Sequence, residues 1–210
     1  MIAACRALSE RLDGLGLIVF FKMGAMAKQP TRFLALLRGI NVGGKNLIAK
    51  DDLRGCFEEA GFTSVRTYIQ SGNILFRSVE VNVKELTTVI EAGLSDRFSY
   101  RARAVVLSYR KYKSAVESAP DDWGNDEEQK HNALFTFDGV MPKSVLAQLP
   151  PSKTSIEKVT IAPGVIFWSV SKKQLGKTMM MKLSKSPVYQ QVTVRNHNTV
   201  FKLRELFEVM

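Results

Sequence analysis

Val65-Arg66-Thr67-Tyr68-Ile69-Gln70-Ser71-Gly72-Asn73-Ile74-Leu75-Phe76 is a β-hairpin written in sequence. Val65, Thr67 and Ile69 alternate with Arg66, Tyr68 and Gln70, the two-residue period of a half-buried strand. Ser71-Gly72-Asn73 turns the chain tightly, and Ile74-Leu75-Phe76 runs back along the first strand. A tight hairpin joins antiparallel neighbours, so the sheet that contains it is not the all-parallel kind.

Working upstream, Phe33-Leu34-Ala35-Leu36-Leu37 is a continuous apolar run, the mark of a strand covered on both faces. A Gly-rich loop follows, then a helix from Asp51 with Leu53, Phe57 and Ala60 on one face, stopped by Gly61. Asp51 and Asp52 suit the first turn through the helix dipole, and Cys56 shares the apolar face. Downstream, Val83, Leu86, Ile90, Leu94 and Phe98 mark a helix, and Ala104 to Leu107 is a closing strand. The order is βαββαβ.

The same order recurs after an acidic stretch, Asp121-Asp122-Trp123-Gly124-Asn125-Asp126-Glu127-Glu128, which reads as a solvated connection. A strand at Ala133–Phe137, a short helix at Pro142–Leu149 and strands near Val159 and at Val165–Val170 come first. A helix at Gln174–Leu183, a strand at Val192–Val194 and a helix at Thr199–Glu208 complete the set. Each half matches the ferredoxin-like split βαβ arrangement. The fold class is therefore α+β, two ferredoxin-like βαββαβ repeats whose antiparallel sheets pack as one compact protein. The organisation reads as 1–25 an N-terminal extension outside the fold, 26–119 the first half, 120–130 the acidic connection and 131–210 the second half. A single ferredoxin-like unit leaves one sheet face open, yet Phe33–Leu37, Ala133–Phe137 and Val165–Trp168 are apolar throughout. Something must cover those faces, most simply the other half.

The extension imitates a secretory signal, with Arg6, Arg11, the apolar run Leu15–Phe21 and Ala25-Met26-Ala27. Glu10 and Asp13 stand where a positive flank is expected, which favours an upstream extension over a signal peptide. No stretch reaches the ~18 apolar residues that a membrane span needs, so no membrane partner is expected. Two cysteines, Cys5 and Cys56, lack any metal-like spacing and set the expectation of a reduced, cytoplasmic setting. The chain has 210 residues, 30 Lys+Arg and 20 Asp+Glu, for a net charge of +10. That excess is uneven: residues 26–78 carry +4, 79–152 carry −2 and 153–210 carry +7. A positive field attracts anionic partners, although solubility alone explains part of it.

Three polar clusters fall at element ends. Gly39-Ile40-Asn41-Val42-Gly43-Gly44-Lys45-Asn46 reads as G-x-x-x-x-G-K, with Asn46 where a P-loop carries the magnesium-binding Ser or Thr. The hairpin and the late restart of helix-forming residues at Lys50–Asp51 oppose a nucleotide-hydrolysing P-loop. A looser anion-binding nest, with Lys45 and Arg38 beside it, fits better. Gln70-Ser71-Gly72-Asn73 is the hairpin tip, whose plain reading is turn chemistry. In Arg195-Asn196-His197-Asn198-Thr199, Asn198 or Thr199 is a ready N-cap, which leaves Arg195, Asn196 and His197 unexplained.

These clusters also carry a resemblance. Leu36-Leu37-Arg38-Gly39-Ile40-Asn41-Val42-Gly43-Gly44, Thr67-Tyr68-Ile69-Gln70-Ser71-Gly72-Asn73 and Arg195-Asn196-His197-Asn198-Thr199 resemble, in order, the bacterial domain-of-unknown-function family numbered 1697. The resemblance implies a two-repeat ferredoxin-like fold and no particular activity. It departs at His197, where the family usually has Trp, and it starts near Met26.

Three function classes follow. The preferred one is a small anionic, phosphate-bearing ligand at the seam between the halves. Its candidate residues are Arg38, Asn41, Gly43, Gly44, Lys45, Asn46, Gln70, Ser71, Asn73, Arg195, Asn196 and His197. The second is nucleic-acid binding, less favoured because Ile74-Leu75-Phe76-Arg77 supplies one aromatic where an RNA-recognition strand stacks two or three. It would use basic loops and the segment with Lys172, Lys173, Lys177, Lys182 and Lys185, where Met179-Met180-Met181 reads as core filling. The third is a transferase or hydrolase acting on a phosphorylated substrate. With two histidines, His131 and His197, and no paired-carboxylate or metal-spaced motif, no catalytic residue, metal ligand or cofactor is assigned, and no oligomeric state.

Overall fold

A computed structural model describes residues 29–40, 47–69 and 72–210. The first half comprises β1 (Thr31–Leu37), α1 (Lys50–Glu59), β2 (Thr63–Tyr68), β3 (Asn73–Ser78), α2 (Val83–Phe98) and β4 (Ala104–Ser108), followed by α3 (Tyr109–Glu117). The second comprises β5 (Gln129–Thr136), α4 (Pro142–Ala147), β6 (Glu157–Ala162), β7 (Val165–Ser171), α5 (Met179–Leu183) and β8 (Val192–Asn196), followed by α6 (His197–Glu208). The sheets have the orders β2-β3-β1-β4 and β6-β7-β5-β8, every pair antiparallel, so the two ferredoxin-like halves are present. The expected 1–25 extension lies outside the described residues.

Central β1 and β7 are buried along nearly their whole length, as their unbroken apolar runs require. On the outer face of the first sheet, Phe33, Ile74 and Phe76 meet Leu53 and Phe57 of α1 and Leu86, Ile90 and Leu94 of α2. On the outer face of the second, Leu134, Ile166 and Trp168 meet Val145 of α4 and Leu183 of α5. The inner faces meet through a third cluster that joins Leu34, Leu36 and Leu75 to Phe135, Val165 and Phe167.

That inner cluster corrects one expectation. The open faces are covered by α3 and α6 as well as by the opposite half. Tyr112, Ala115 and Val116 come from α3, and Val200, Leu203 and Phe207 from α6. The buried Tyr112 hydroxyl donates to Val200 O at 2.8 Å, giving its polar tip a partner inside the core. Arg32 lies 3.9 Å from the centre of the Tyr109 ring and donates to Phe207 O at 2.7 Å, which ties the end of α6 to β1.

Two more readings change. The helix expected at Gln174–Leu183 is a 3-10 turn at Lys172–Lys177 and the five-residue α5, separated by Thr178 in extended conformation. Met179 is core, whereas Met181 is exposed; the side chain of Met180 lies outside the described residues. The acidic connection is pinned rather than merely solvated, because Trp123 is buried against Phe167, Phe201, His131 and His197. Among the described residues, no helix is long and apolar enough to cross a membrane.

Candidate functional site

The seam is built from the C-terminal end of β1, the hairpin tip and β8. Leu37 donates its backbone N–H to Gly72 O at 2.7 Å, and Asn73, buried, donates through Nδ2 to Tyr68 O at 3.1 Å. Gly72 has φ +72°, and a Cβ there would lie 2.7 Å from Leu37 Cβ, so glycine is needed both for backbone conformation and for space. The hairpin tip is thereby fixed against the end of β1.

Arg195 reaches into this corner from β8. Its Nε donates to Asn73 Oδ1 at 2.5 Å. Nη1 donates to Thr193 Oγ1 at 2.9 Å and Val194 O at 2.8 Å. Nη2 donates to Leu37 O at 2.8 Å and Gly72 O at 3.1 Å. Five donors meet five acceptors, the full capacity of a guanidinium. Arg195 is therefore a clamp across the two halves, and its N–H groups are spent inside the protein. Burial pulls its pKa down from the ordinary guanidinium range to about 10.

Two further arginines sit on the rim. Arg38 donates its backbone N–H to Arg103 O at 2.9 Å, so the residue after β1 lies beside the residue before β4. The Arg38 guanidinium lies 4.9 Å from the Tyr189 ring centre, and that of Arg103 lies 4.4 Å from the Phe137 ring centre. Each is an arginine of the first half laid on an aromatic ring of the second. Arg103 Nε is also 3.4 Å from Glu91 Oε1. Arg38 Nε is buried without a hydrogen-bond partner among the described residues.

The candidates thus divide. Arg38, Asn73 and Arg195 converge on the seam. Asn196 does not serve as an exposed ligand group: its side chain caps α6, accepting from Thr199 N at 2.8 Å, in place of the cap expected from Asn198 or Thr199. His197 packs away from the clamp, its ring 5.4 Å from that of His131 and 6.3 Å from that of Trp123. Burial, reinforced by His131, lowers its pKa. Asn41, Gly43, Gly44, Lys45, Asn46, Gln70 and Ser71 lie outside the described residues. Arg103, Thr193 and Tyr189 were not anticipated. Arg103 had a usable signal, since in a ferredoxin-like sheet the fourth strand flanks the first and brings the residue before it next to Arg38.

A family model described as "Protein of unknown function (DUF1697)" matches residues 31–167. The chain belongs to that family. The match takes in the Gly-rich loop and the hairpin tip, while Arg195–Thr199 lies beyond it. The fold is also similar to a solved structure described as that of the conserved bacterial protein SP0830 from Streptococcus pneumoniae. That likeness has a TM-score of 0.76 at 29% sequence identity, over 86% of this chain and 99% of that one. No curated protein matches the chain.

A cleft of about 650 Å³ adjoins the seam. It runs along β4, with α3 on one wall and the β5–α4 loop and β6–β7 turn of the second half on the other.

Proposed function

We propose that the rim of the seam holds a small phosphate-bearing anion. The observation that supports this reading is the gathering of Arg38, Arg103 and Arg195 with one carboxylate, Glu91, paired to any of them among the described residues. Such an excess of buried and half-buried cation favours an incoming anion. Stacking engages the faces of Arg38 and Arg103 and Glu91 engages Arg103 Nε, which leaves the terminal N–H groups, the part that binds phosphate oxygens two at a time, for a ligand. Arg195 adds its field and no bond. Residues 41–46 of the Gly-rich loop, Lys45 among them, follow Arg38 closely in sequence and lie outside the described residues.

A thermal-shift series with inorganic phosphate, pyrophosphate, nucleotides and sugar phosphates tests the reading. At least one phosphate-bearing compound raises the melting temperature of the wild type and not of Arg38→Ala. No shift with any anion overturns it.

One observation favours a second reading, nucleic-acid binding. Lys172, Lys173, Lys177, Lys182 and Lys185 are all exposed on one short segment, and of these only Lys173 is ion-paired among the described residues, to Glu128 at 2.6 Å. Binding there would weaken steeply with salt and would be indifferent to Arg38→Ala.

A further inference from the structure

Among the described residues, the outer edge of β4 pairs with no other strand and faces the 650 Å³ cleft. Its direction follows from the register. Leu36 pairs with Val105 and Leu34 with Leu107, in phase with the bond from Arg38 N to Arg103 O, so the odd-numbered residues turn their main-chain groups toward β1. Ala104, Val106 and Ser108 turn theirs away. The Ala104 N–H is taken by Glu91 Oε1 at 2.9 Å. Val106 and Ser108 line the cleft, and the N–H and C=O of Val106 point into it.

Sheet edges are commonly blunted by bulges or covering elements. β2, at the other edge of this sheet, carries such a bulge, with Ser64 at φ 52°. The β4 register is unbroken. The walls of the cleft suit an extended guest. Leu107, Ala115 and Phe135 offer apolar contact, and Ser114, Ser118 and Thr136 offer hydroxyls. Its charged lining residues are Arg110 and Lys111 on one wall and Asp138 on the other, with Arg103 stacked on Phe137 at one end. β4 spans about 17 Å at ~3.4 Å per residue, with Arg110 and Lys111 just beyond its C-terminal end and Arg103, paired to Glu91 at 3.4 Å, just before its N-terminal end.

We propose that this edge binds an acidic peptide segment in extended conformation, which adds a strand to β4. Main-chain hydrogen bonds to Val106 give affinity, alternate side chains settle on Leu107 and Phe135, and carboxylates meet Arg110 and Lys111 at the C-terminal end of β4. The proposal does not rest on the anion reading, because it uses the strand edge rather than Arg38.

The test is a titration of the full chain with a blocked peptide of about six residues alternating Glu and Val, the length of an ordinary strand. Amide hydrogen exchange at Val106 is the readout. Binding slows exchange there at least ~10-fold. It is abolished by N-methylating the peptide's pairing amides and weakened by Arg110→Glu with Lys111→Glu, exposed positions whose change leaves the fold intact. It persists in Arg38→Ala. Equal binding of a Lys/Val peptide, binding without protection of Val106, or protection produced by self-association of the chain alone would overturn the proposal.

Discussion

Arg195 carries a charge into the interior with no carboxylate paired to it among the described residues, and its five acceptors are neutral oxygens. Desolvation of the guanidinium is unfavourable, and the bonds across the seam offset it. Replacing Arg195 by Met leaves Asn73 Oδ1 and Gly72 O without that donor in the interior, at a cost of about 3 kcal/mol. Arg195→Lys keeps the charge but loses the planar fork, and falls between the two. Denaturant unfolding measures the order; a Met variant as stable as the wild type would contradict the clamp. His197 supplies a pH dependence. Its folded pKa is depressed by burial below the ordinary value of 6.5, so the unfolded state binds the proton more readily. Stability is full above that ordinary value and declines as pH falls through the depressed one. The melting temperature therefore drops as pH falls below the ordinary value of 6.5, and His197→Phe makes the drop shallower. An unchanged slope would show that His197 does not couple to unfolding.

Among the elements, the hairpin tip and α3 repay comparison. Gly72 and Gly61 both have positive φ, but a Cβ at Gly61 meets nothing within 4 Å. Gly61→Ala thus costs about 1 kcal/mol of backbone strain, whereas Gly72→Ala adds a clash with Leu37 and Ile40 and costs at least about 2 kcal/mol. Equal losses in paired unfolding curves would remove the close-approach argument. The hairpin was legible in sequence because its alternation and turn are local. α3 was not assigned, because its buried positions are Tyr112, Ala115 and Val116, a polar-tipped ring and a small residue with one strong hydrophobe. Its start was nonetheless written in Ser108, whose side chain accepts from Lys111 N. Taking the repeat literally would also have found it, since the second half follows its fourth strand with a helix and the first half does the same. The 3-10 turn at Lys172–Lys177 escaped because apolar spacing alone does not separate it from an α-helix.

For the molecule as a whole, both sheets, the order of their strands and the burial of their centres were readable from unbroken apolar runs and hairpin signals. The cover between the sheets depended on how α3 and α6 pack against each other, a long-range fact that no local pattern carries. The site was legible in part for the same reason. Arg38, Asn73 and Arg195 stand at element ends, where polar residues need an explanation, and their meeting follows from two sheets joined at one corner. Roles within the set were not legible. A capping Asn196 and a packed His197 look, in sequence, like any other polar pair after a strand.

Calorimetric titration of the full chain with pyrophosphate, beside Arg38→Ala, tests the anion site most directly. The wild type binds one equivalent, and the variant, folded to the same extent by circular dichroism, binds at least ~10-fold more weakly, a loss of about 1.4 kcal/mol. Equal affinity in the two proteins, or no binding to either, would contradict it.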